Sequence, residues 1–333
     1  MKIKIKTFAY LLSLALAALM GYQTLTPKFP DNEILLYPNQ MRSDLTLTYL
    51  HAFKRAHHSI LVIIYTLRDE EIIRSLRERG EEGIKVTVIC DHKACLGVAK
   101  ELGPDVRTVY CDHKGHMHQK IVVIDDELIW LGSANMTTES LRFHGNLVAG
   151  IKDPTLAKKI TEHANLMTQD GIGDTDTPSL FTINGQTLSL TLLPDKGSAL
   201  KELIALIDQA KTDIRVAMFT WTHPLLTDAV IRAVKRGVKV EAILDNTSSQ
   251  GASRATFKAL QASGCAVSTN DTAALLHHKF LVIDDKLLAM GSTNWTKAAF
   301  TRNNDCFIIL PEMTDKQKKT IRRLWKVLKA ESS

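Results

Sequence analysis

The sequence predicts an α/β protein of two pseudo-symmetric lobes, each a mixed β-sheet flanked by helices. Three observations predict it. Apolar runs of strand length alternate with helix-period stretches along most of the 333 residues, the pattern of sheets covered by helices. The order of elements then repeats, with Ile60 and Ile214, and Gly83 and Gly237, both 154 residues apart. A longer motif recurs at an offset of 159, pairing His118 with His277, Asp125 with Asp284, and Asn135 with Asn294. The five extra residues fall within 246–276, and an internal duplication accounts for the pattern.

Residues 1–26 read as a targeting segment. Lys2, Lys4 and Lys6 give a basic front, and residues 7–26 carry no charge. The run suits either a cleaved signal peptide or an uncleaved signal anchor. Both place the body outside the cytoplasm, exported or membrane-anchored, because the positive end stays inside. The expected divisions are therefore 1–27 for this segment, 28–172 for lobe one and 173–333 for lobe two. The Gly- and Asp-containing stretch 169–176 marks the join.

Lobe one opens with a helix around Leu45, Leu47, Leu50 and Phe53. A strand at 60–65, an acid-fronted helix at 69–79 and a strand at 84–90 that closes on Asp91 follow. Lobe two repeats the order. Ser198 is placed to cap a helix carrying Leu200, Leu203, Ile204 and Ile207. A strand at 214–219 comes next, then a helix at 224–236 with Pro early and Gly237 at its end, then a strand at 238–244 closing on Asp245. The tail, 314–329, is an amphipathic helix with an apolar stripe of Ile321, Leu324, Trp325 and Leu328 and an otherwise basic surface. That surface suits either a solvated face or contact with anionic lipid.

The duplicated motif carries the chemistry. His118 and Lys120, and His277 and Lys279, stand two apart, so on a strand each pair projects from one face. Four apolar residues follow each Lys, as in a strand buried on both sides. Asp125 and Asp284 then begin tight turns, and 128–131 and 287–290 return as the second strand of a hairpin. The return delivers Ser133 and Asn135, or Ser292 and Asn294, beside the His and Lys. Gly132 and Gly291 allow close backbone approach. An imidazole, an ammonium, a hydroxyl and an amide converging on one spot suit a tetrahedral oxyanion such as phosphate.

With His-x-Lys, the Asp five residues on and Gly-Ser-x-Asn present in both halves, the chain resembles a two-motif member of the phospholipase D superfamily, over roughly residues 35 to 325. The resemblance implies phospholipase D-like lobes whose two half-sites meet in one active site at the lobe interface. It implies that His118 attacks phosphorus to form a phosphohistidine while His277 acts as the acid and then the base. Lys120, Lys279, Asn135 and Asn294, assisted by Ser133 and Ser292, would hold the non-bridging oxygens. Members of the family often carry an acidic residue eleven positions after the motif Asn, paired with a motif His. Here those positions hold Asp305 and, in lobe one, Asn146. A carboxylate raises an imidazole pKa where an amide only orients the ring. We therefore expect Asp305 to pair with His277, and Asp125 and Asp284 to be structural.

The resemblance leaves the substrate open. A phospholipid headgroup diester is the leading expectation. Nucleic acid or another phosphodiester, and phosphatidyl transfer of the cardiolipin synthase kind, are the alternatives. The formal net charge of +6 falls to +3 without the first three lysines, too little to argue for nucleic acid by itself. Membrane association is expected, and neither a cofactor nor an oligomer is required. No metal is expected, although His113, His116 and His118 alternate, because no acidic or Cys ligand is spaced with them. The five cysteines show no zinc-type spacing and read as small buried hydrophobes. His278 should point away from its neighbour His277, and Trp221 and Trp295 are rim or core.

Overall fold

The protein is described here by a computed structural model, covering residues 27–41, 43–112, 114–170 and 178–333. The expected targeting segment, the division after residue 172, and His113 lie outside the described residues.

Lobe one runs β1 (Leu35–Pro38), α1 (Leu45–Lys54), β2 (Ser59–Ile64), α2 (Glu70–Glu81), β3 (Lys85–Asp91), α3 (Val98–Leu102), β4 (Val106–Cys111), β5 (Lys120–Ile124), β6 (Leu128–Gly132), α4 (Thr138–Arg142), β7 (Leu147–Lys152) and α5 (Pro154–Asp170). Lobe two runs β8 (Ser179–Ile183), β9 (Gln186–Leu192), α6 (Ser198–Gln209), β10 (Asp213–Met218), α7 (Pro224–Lys235), β11 (Lys239–Leu244), α8 (Asn246–Gln250), α9 (Arg254–Ala262), β12 (Ala266–Thr269), β13 (Lys279–Ile283), β14 (Leu287–Gly291), α10 (Lys297–Thr301), β15 (Cys306–Leu310) and α11 (Asp315–Ala330). The described residues thus form two mixed sheets flanked by helices. Their strand orders are β1-β7-β6-β5-β2-β3-β4 and β12-β11-β10-β13-β14-β15-β9-β8. In each, three parallel strands meet an antiparallel hairpin at the centre, where β5 pairs with β2 and β13 with β10.

The central strands are apolar throughout because both of their faces are covered. Ile121 and Val123 join Phe280 and Val282 in a core shared by the two sheets. The alternate residues Val122 and Ile124 pack outward with Leu45, Phe53 and Leu76 of lobe one. Leu281 and Ile283 do the same with Leu226 and Val230 of lobe two. This is the two-residue strand period read on a doubly buried strand.

The hairpin turns explain the motif aspartates. Asp125 and Asp126 have φ of 52° and 54°, and Asp284 and Asp285 have 53° and 50°, a left-handed pair that Asp tolerates better than most residues. Asp125 then accepts the N–H groups of His57, His58 and Ser59 at 2.7–2.8 Å. Asp284 does the same for Lys211, Thr212 and Asp213. Each carboxylate ties the hairpin turn to the start of the neighbouring parallel strand, at the opposite end of the hairpin from the motif His.

One local expectation needs correction. Ser198 does not cap its helix: Gly197 occupies the cap at φ 91°. Asp195 supplies the acceptor instead, to the N–H groups of Gly197 and Ala199. The tail helix α11 buries Ile321, Leu324, Trp325 and Leu328, and much of its basic surface is paired to the body. Lys318 meets Glu312, Arg322 meets Asp285 and Lys329 meets Glu241. No helix among the described residues is long and apolar enough to cross a membrane.

Candidate active site

The two lobes are joined where the motifs lie. Met117 bridges Asn304, and Gly145 bridges Leu276, both in parallel sense. His118 N–H donates to Asn304 O at 2.8 Å, and Asn304 N–H to His116 O at 2.9 Å. Gly145 N–H donates to Leu275 O at 2.8 Å. These paired crossings are related by the same offset of 159 as the motifs, so the duplication has become an approximate two-fold axis.

The crossings decide which partners the histidines receive. Residue 305 is brought beside residue 118, and residue 146 beside residue 277. His118 Nδ1 lies 2.7 Å from Asp305 Oδ1, and His277 Nδ1 lies 3.1 Å from Asn146 Oδ1. The expected pairing of Asp305 with His277 is therefore wrong. Each imidazole is oriented by the other lobe, because the strand that follows Gly-Ser-x-Asn in one lobe presents its first residues to the partner lobe.

The serines also differ from expectation. Ser292 Oγ donates to Asp305 Oδ1 at 2.7 Å and accepts from Cys306 N at 2.9 Å. Ser133 Oγ donates to Asn146 Oδ1 at 2.8 Å and accepts from Leu147 N at 3.1 Å. Both hydroxyls hold the histidine partners, rather than facing phosphate. The glycines before them make this reach possible. A Cβ on Gly132 would stand 2.3 Å from Leu147 O, and one on Gly291 would stand 2.2 Å from Cys306 O.

Lys120 and Lys279 open β5 and β13 and are 2% and 3% exposed. Each donates to the carbonyl of its own motif His, Lys120 to His118 O and Lys279 to His277 O. The ammonium groups lie over the rings of Tyr65 and Phe219, at 5.3 and 5.0 Å from the centroids. Those aromatic rings also meet His118 and His277 edge-on or tilted, at 5.2 and 4.9 Å. Asn294 turns Oδ1 to the Thr220 N–H at 3.2 Å, which leaves its Nδ2 as a donor for a ligand. Asn135 offers its backbone N–H to Ser140 Oγ.

Burial pushes every basic group here toward its neutral form, and repulsion from lysine adds to it for His118, His277 and Lys279. Burial, and then Lys120, lower the His118 pKa to about 4, against the opposing pull of Asp305. Burial lowers Lys120 to about 7. Burial followed by Lys279 and Lys120 brings His277 well below the usual imidazole value. Burial followed by Lys120 does the same to Lys279. Burial pushes Asp305 up, yet His118, Lys120 and Ser292 together hold it below the ordinary carboxylate value. His118, His277 and Lys279 all feel the charge of Lys120, the last two across the lobe interface. A dianionic or monoanionic phosphate group bound among them would reverse the repulsion and favour the charged forms.

Asp91 and Asp245 were read from the sequence only as strand ends. Asp91 Oδ2 accepts Met117 N–H at 3.1 Å, and Asp245 Oδ2 accepts Leu276 N–H at 3.0 Å. Each carboxylate thus holds the residue just before a motif His. Their shared offset of 154 was the available signal.

Among the described residues no cluster of three or more His, Cys, Asp or Glu is placed to hold a metal ion. His116 is exposed, 3.8 Å from Asp91. His278 is buried and meets Gln40 Oε1 at 2.5 Å. Trp221 and Trp295 form a buried edge-to-face pair at 4.5 Å, so they belong to the core.

Comparison with known proteins agrees with this geometry. Residues 49–168 and 203–325 match a family model described as cardiolipin synthase, PLD-like domain. A mitochondrial cardiolipin hydrolase of Chlamydomonas reinhardtii is 33% identical over 134 residues, 40% of this chain and 60% of that protein. The major cardiolipin synthase ClsA of Bacillus subtilis is 31% identical over 121 residues, 34% of this chain and 25% of that one. The chain spans about 60% of the length of the first of these. The crystal structure of phosphatidylserine synthase from Haemophilus influenzae superposes on 90% of this chain and 87% of its own, with a TM-score of 0.68 at 14% identity. At that identity the likeness concerns the fold alone.

Proposed function

The chain belongs to the phospholipase D superfamily, and from that premise we propose that it is a phosphodiesterase cleaving headgroup diesters of phospholipids, cardiolipin among them. The observation that carries the reading is the meeting of both His-x-Lys pairs at the lobe interface, with one imidazole on a carboxylate and the other on an amide.

In this reading His118 Nε2 attacks phosphorus. Its Nδ1–H stays on Asp305, whose charge offsets the positive charge that develops on the ring. His277 gives the proton on Nε2 to the departing alcohol oxygen as the P–O bond breaks. The products of this step are a free alcohol and a phosphoryl group on His118. Neutral His277 then takes a proton from water, whose oxygen attacks phosphorus and releases His118. An acceptor alcohol in place of water would make the second step a transfer. Lys120, Lys279 and the Asn294 amide stabilise the non-bridging oxygens, which gain charge in both transition states.

The lipid substrate draws support from the relatives named for cardiolipin. It also suits the uncharged run of residues 7–26, which would hold the body at a bilayer. The test uses vesicles of phosphatidylglycerol or cardiolipin against single- and double-stranded DNA, with chelator present. Headgroup release that disappears in both His118→Ala and His277→Ala is expected. DNA cleavage with inert lipid would overturn the lipid substrate, and activity abolished by chelator would overturn the phosphohistidine route.

A further inference from the structure

The two half-sites are unequal, and the inequality is built into the surroundings rather than confined to one side chain. Asn146 is fully buried. Its Nδ2 donates to Ser140 O at 2.8 Å and to His144 O at 3.2 Å. Two carbonyl acceptors fix the amide's orientation, so Oδ1 must be the atom that faces His277 and Ser133. A carboxylate at this position would set its second oxygen against both carbonyls. In lobe two the matching positions are Ala299 and Asn303, and Asn303 Nδ2 stands 3.5 Å from Asp305 Oδ2 as a donor. Asn146 is thus held as an amide by carbonyls of its own lobe, while Asp305 has a donor side chain of its own lobe nearby.

The consequence falls on His277. Because Asn146 Oδ1 only accepts, His277 Nδ1 is a donor and Nε2 is the nitrogen that exchanges a proton with the reacting oxygen. The charged groups facing this ring are Lys279 on its own strand, Lys120 and His118 from lobe one, with His144 beyond them. All of these are basic; the carboxylate behind them, Asp245, is engaged by the N–H groups of Leu276 and Ser248. The carboxylate of the site, Asp305, is engaged by His118 and Ser292.

We propose that Asn146 is a positioning residue that withholds negative charge from His277, so that protonation of the leaving alcohol is the step that fails as pH rises and the enzyme works on the acidic side of neutrality. The proposal rests on the phosphodiesterase reading and assigns to Asn146 the pH range of that activity. Its chemistry adds no new step: the proton still passes from His277 Nε2 to the departing alkoxide oxygen.

The test compares wild type with Asn146→Asp on two diesters. Phosphatidylglycerol in vesicles releases an aliphatic alcohol, whose oxygen needs a proton. Bis(4-nitrophenyl) phosphate releases a phenolate that departs without one. For wild type, kcat/KM on the lipid should fall about tenfold per pH unit above a midpoint lower than the ordinary imidazole value of 6.5. At pH 8 the Asp variant should be faster on the lipid, by roughly 3- to 30-fold, because a neighbouring carboxylate raises an imidazole pKa. On the aryl diester neither effect should be seen. No gain at pH 8 on the lipid, or the same gain on the aryl diester, overturns the proposal.

The two carbonyls facing residue 146 give the Asp variant a reason to misfold. In that case imidazole NMR titration of wild type decides: His277 should lose its proton at lower pH than His118, and equal or reversed order overturns the proposal. No turnover of either diester would refute the phosphodiesterase reading, and the order of the two titrations would still decide this one.

Discussion

His118 and Asp305 lie 187 residues apart in sequence, yet their Nδ1 and Oδ1 atoms are 2.7 Å apart across the lobe interface. The carboxylate is fully buried and the imidazole ring is 12% exposed. Neither lobe therefore orients its motif His by itself. Asp305→Asn keeps the shape and removes the charge. We expect kcat to fall by about 10²- to 10⁴-fold, as when a buried Asp behind a catalytic His is neutralised. The sign of the pH effect also follows. In the proposed route attack needs neutral His118, and Asp305 raises the pKa of that ring. In the variant the limb of kcat/KM that titrates His118 should move to lower pH even as the plateau drops. A pH profile of unchanged position would show that Asp305 only fills space.

The serines provide a sharper separation of roles. Ser292→Ala removes a donor from Asp305 and leaves the buried Cys306 N–H without its acceptor, at a cost of about 1 to 3 kcal/mol. Ser133→Ala removes the matching donor from Asn146. We expect kcat to fall roughly tenfold for Ser292→Ala and less for Ser133→Ala, with KM and the inhibition constant of inorganic phosphate nearly unchanged in both. A rise in those two constants with kcat preserved would return the hydroxyls to direct phosphate contact.

Much of this could be read in the sequence, and what could not has a physical reason. The central hairpins were legible because doubly buried strands leave an uninterrupted apolar run between His-x-Lys and the turn. The equal offsets of Gly83 and Gly237, and of His118 and His277, exposed the duplication. The edge strands β1, β8 and β12 were missed because they are only four or five residues long; β9, an interior strand, was missed although Leu188, Leu190 and Leu192 alternate. The partner of His118 was misassigned because a motif offset along one chain says nothing about a contact made across a two-fold axis. That contact depends on the Met117–Asn304 and Gly145–Leu276 bridges. Ser133 and Ser292 reach residues 146 and 305 within their own lobes, because β6 pairs with β7 and β14 with β15.

Asp91 and Asp245 should act on the chemistry through the backbone. Asp245 accepts from Leu276 N–H and also from Ser248 N–H at 2.9 Å. Asp245→Ala leaves both groups unsatisfied in a buried place. We expect a lower Tm and a kcat reduced about tenfold or more, with KM changed little because no ligand contact is lost. Asp245→Asn keeps one acceptor and should recover part of both. Full activity in the Ala variant would mean that the segment before His277 is held by the lobe bridges alone.

The buried lysines set function against stability. Lys120 is 2% exposed and its pKa is lowered from 10.5 to about 7, chiefly by burial. Between those two pH values the unfolded chain binds a proton that the folded protein does not. Folding stability of the ligand-free protein should therefore rise as pH increases from 7 to 10.5, and this contribution should level off outside that window. Lys120→Met removes the share of the slope due to Lys120 and leaves that of Lys279. It should also raise stability near pH 7 by about 1 to 4 kcal/mol, the gain seen when buried charges give way to apolar groups. The same substitution should abolish activity. It should also abolish stabilisation by inorganic phosphate, which for wild type reaches about 2.7 kcal/mol when phosphate is at a hundred times its Kd. Urea melts at pH 7, 8 and 9, with and without phosphate, measure all of these terms. If Lys120→Met proved less stable than wild type without phosphate, the ammonium would be holding the fold through His118 O, and not waiting for an anion at an energetic cost.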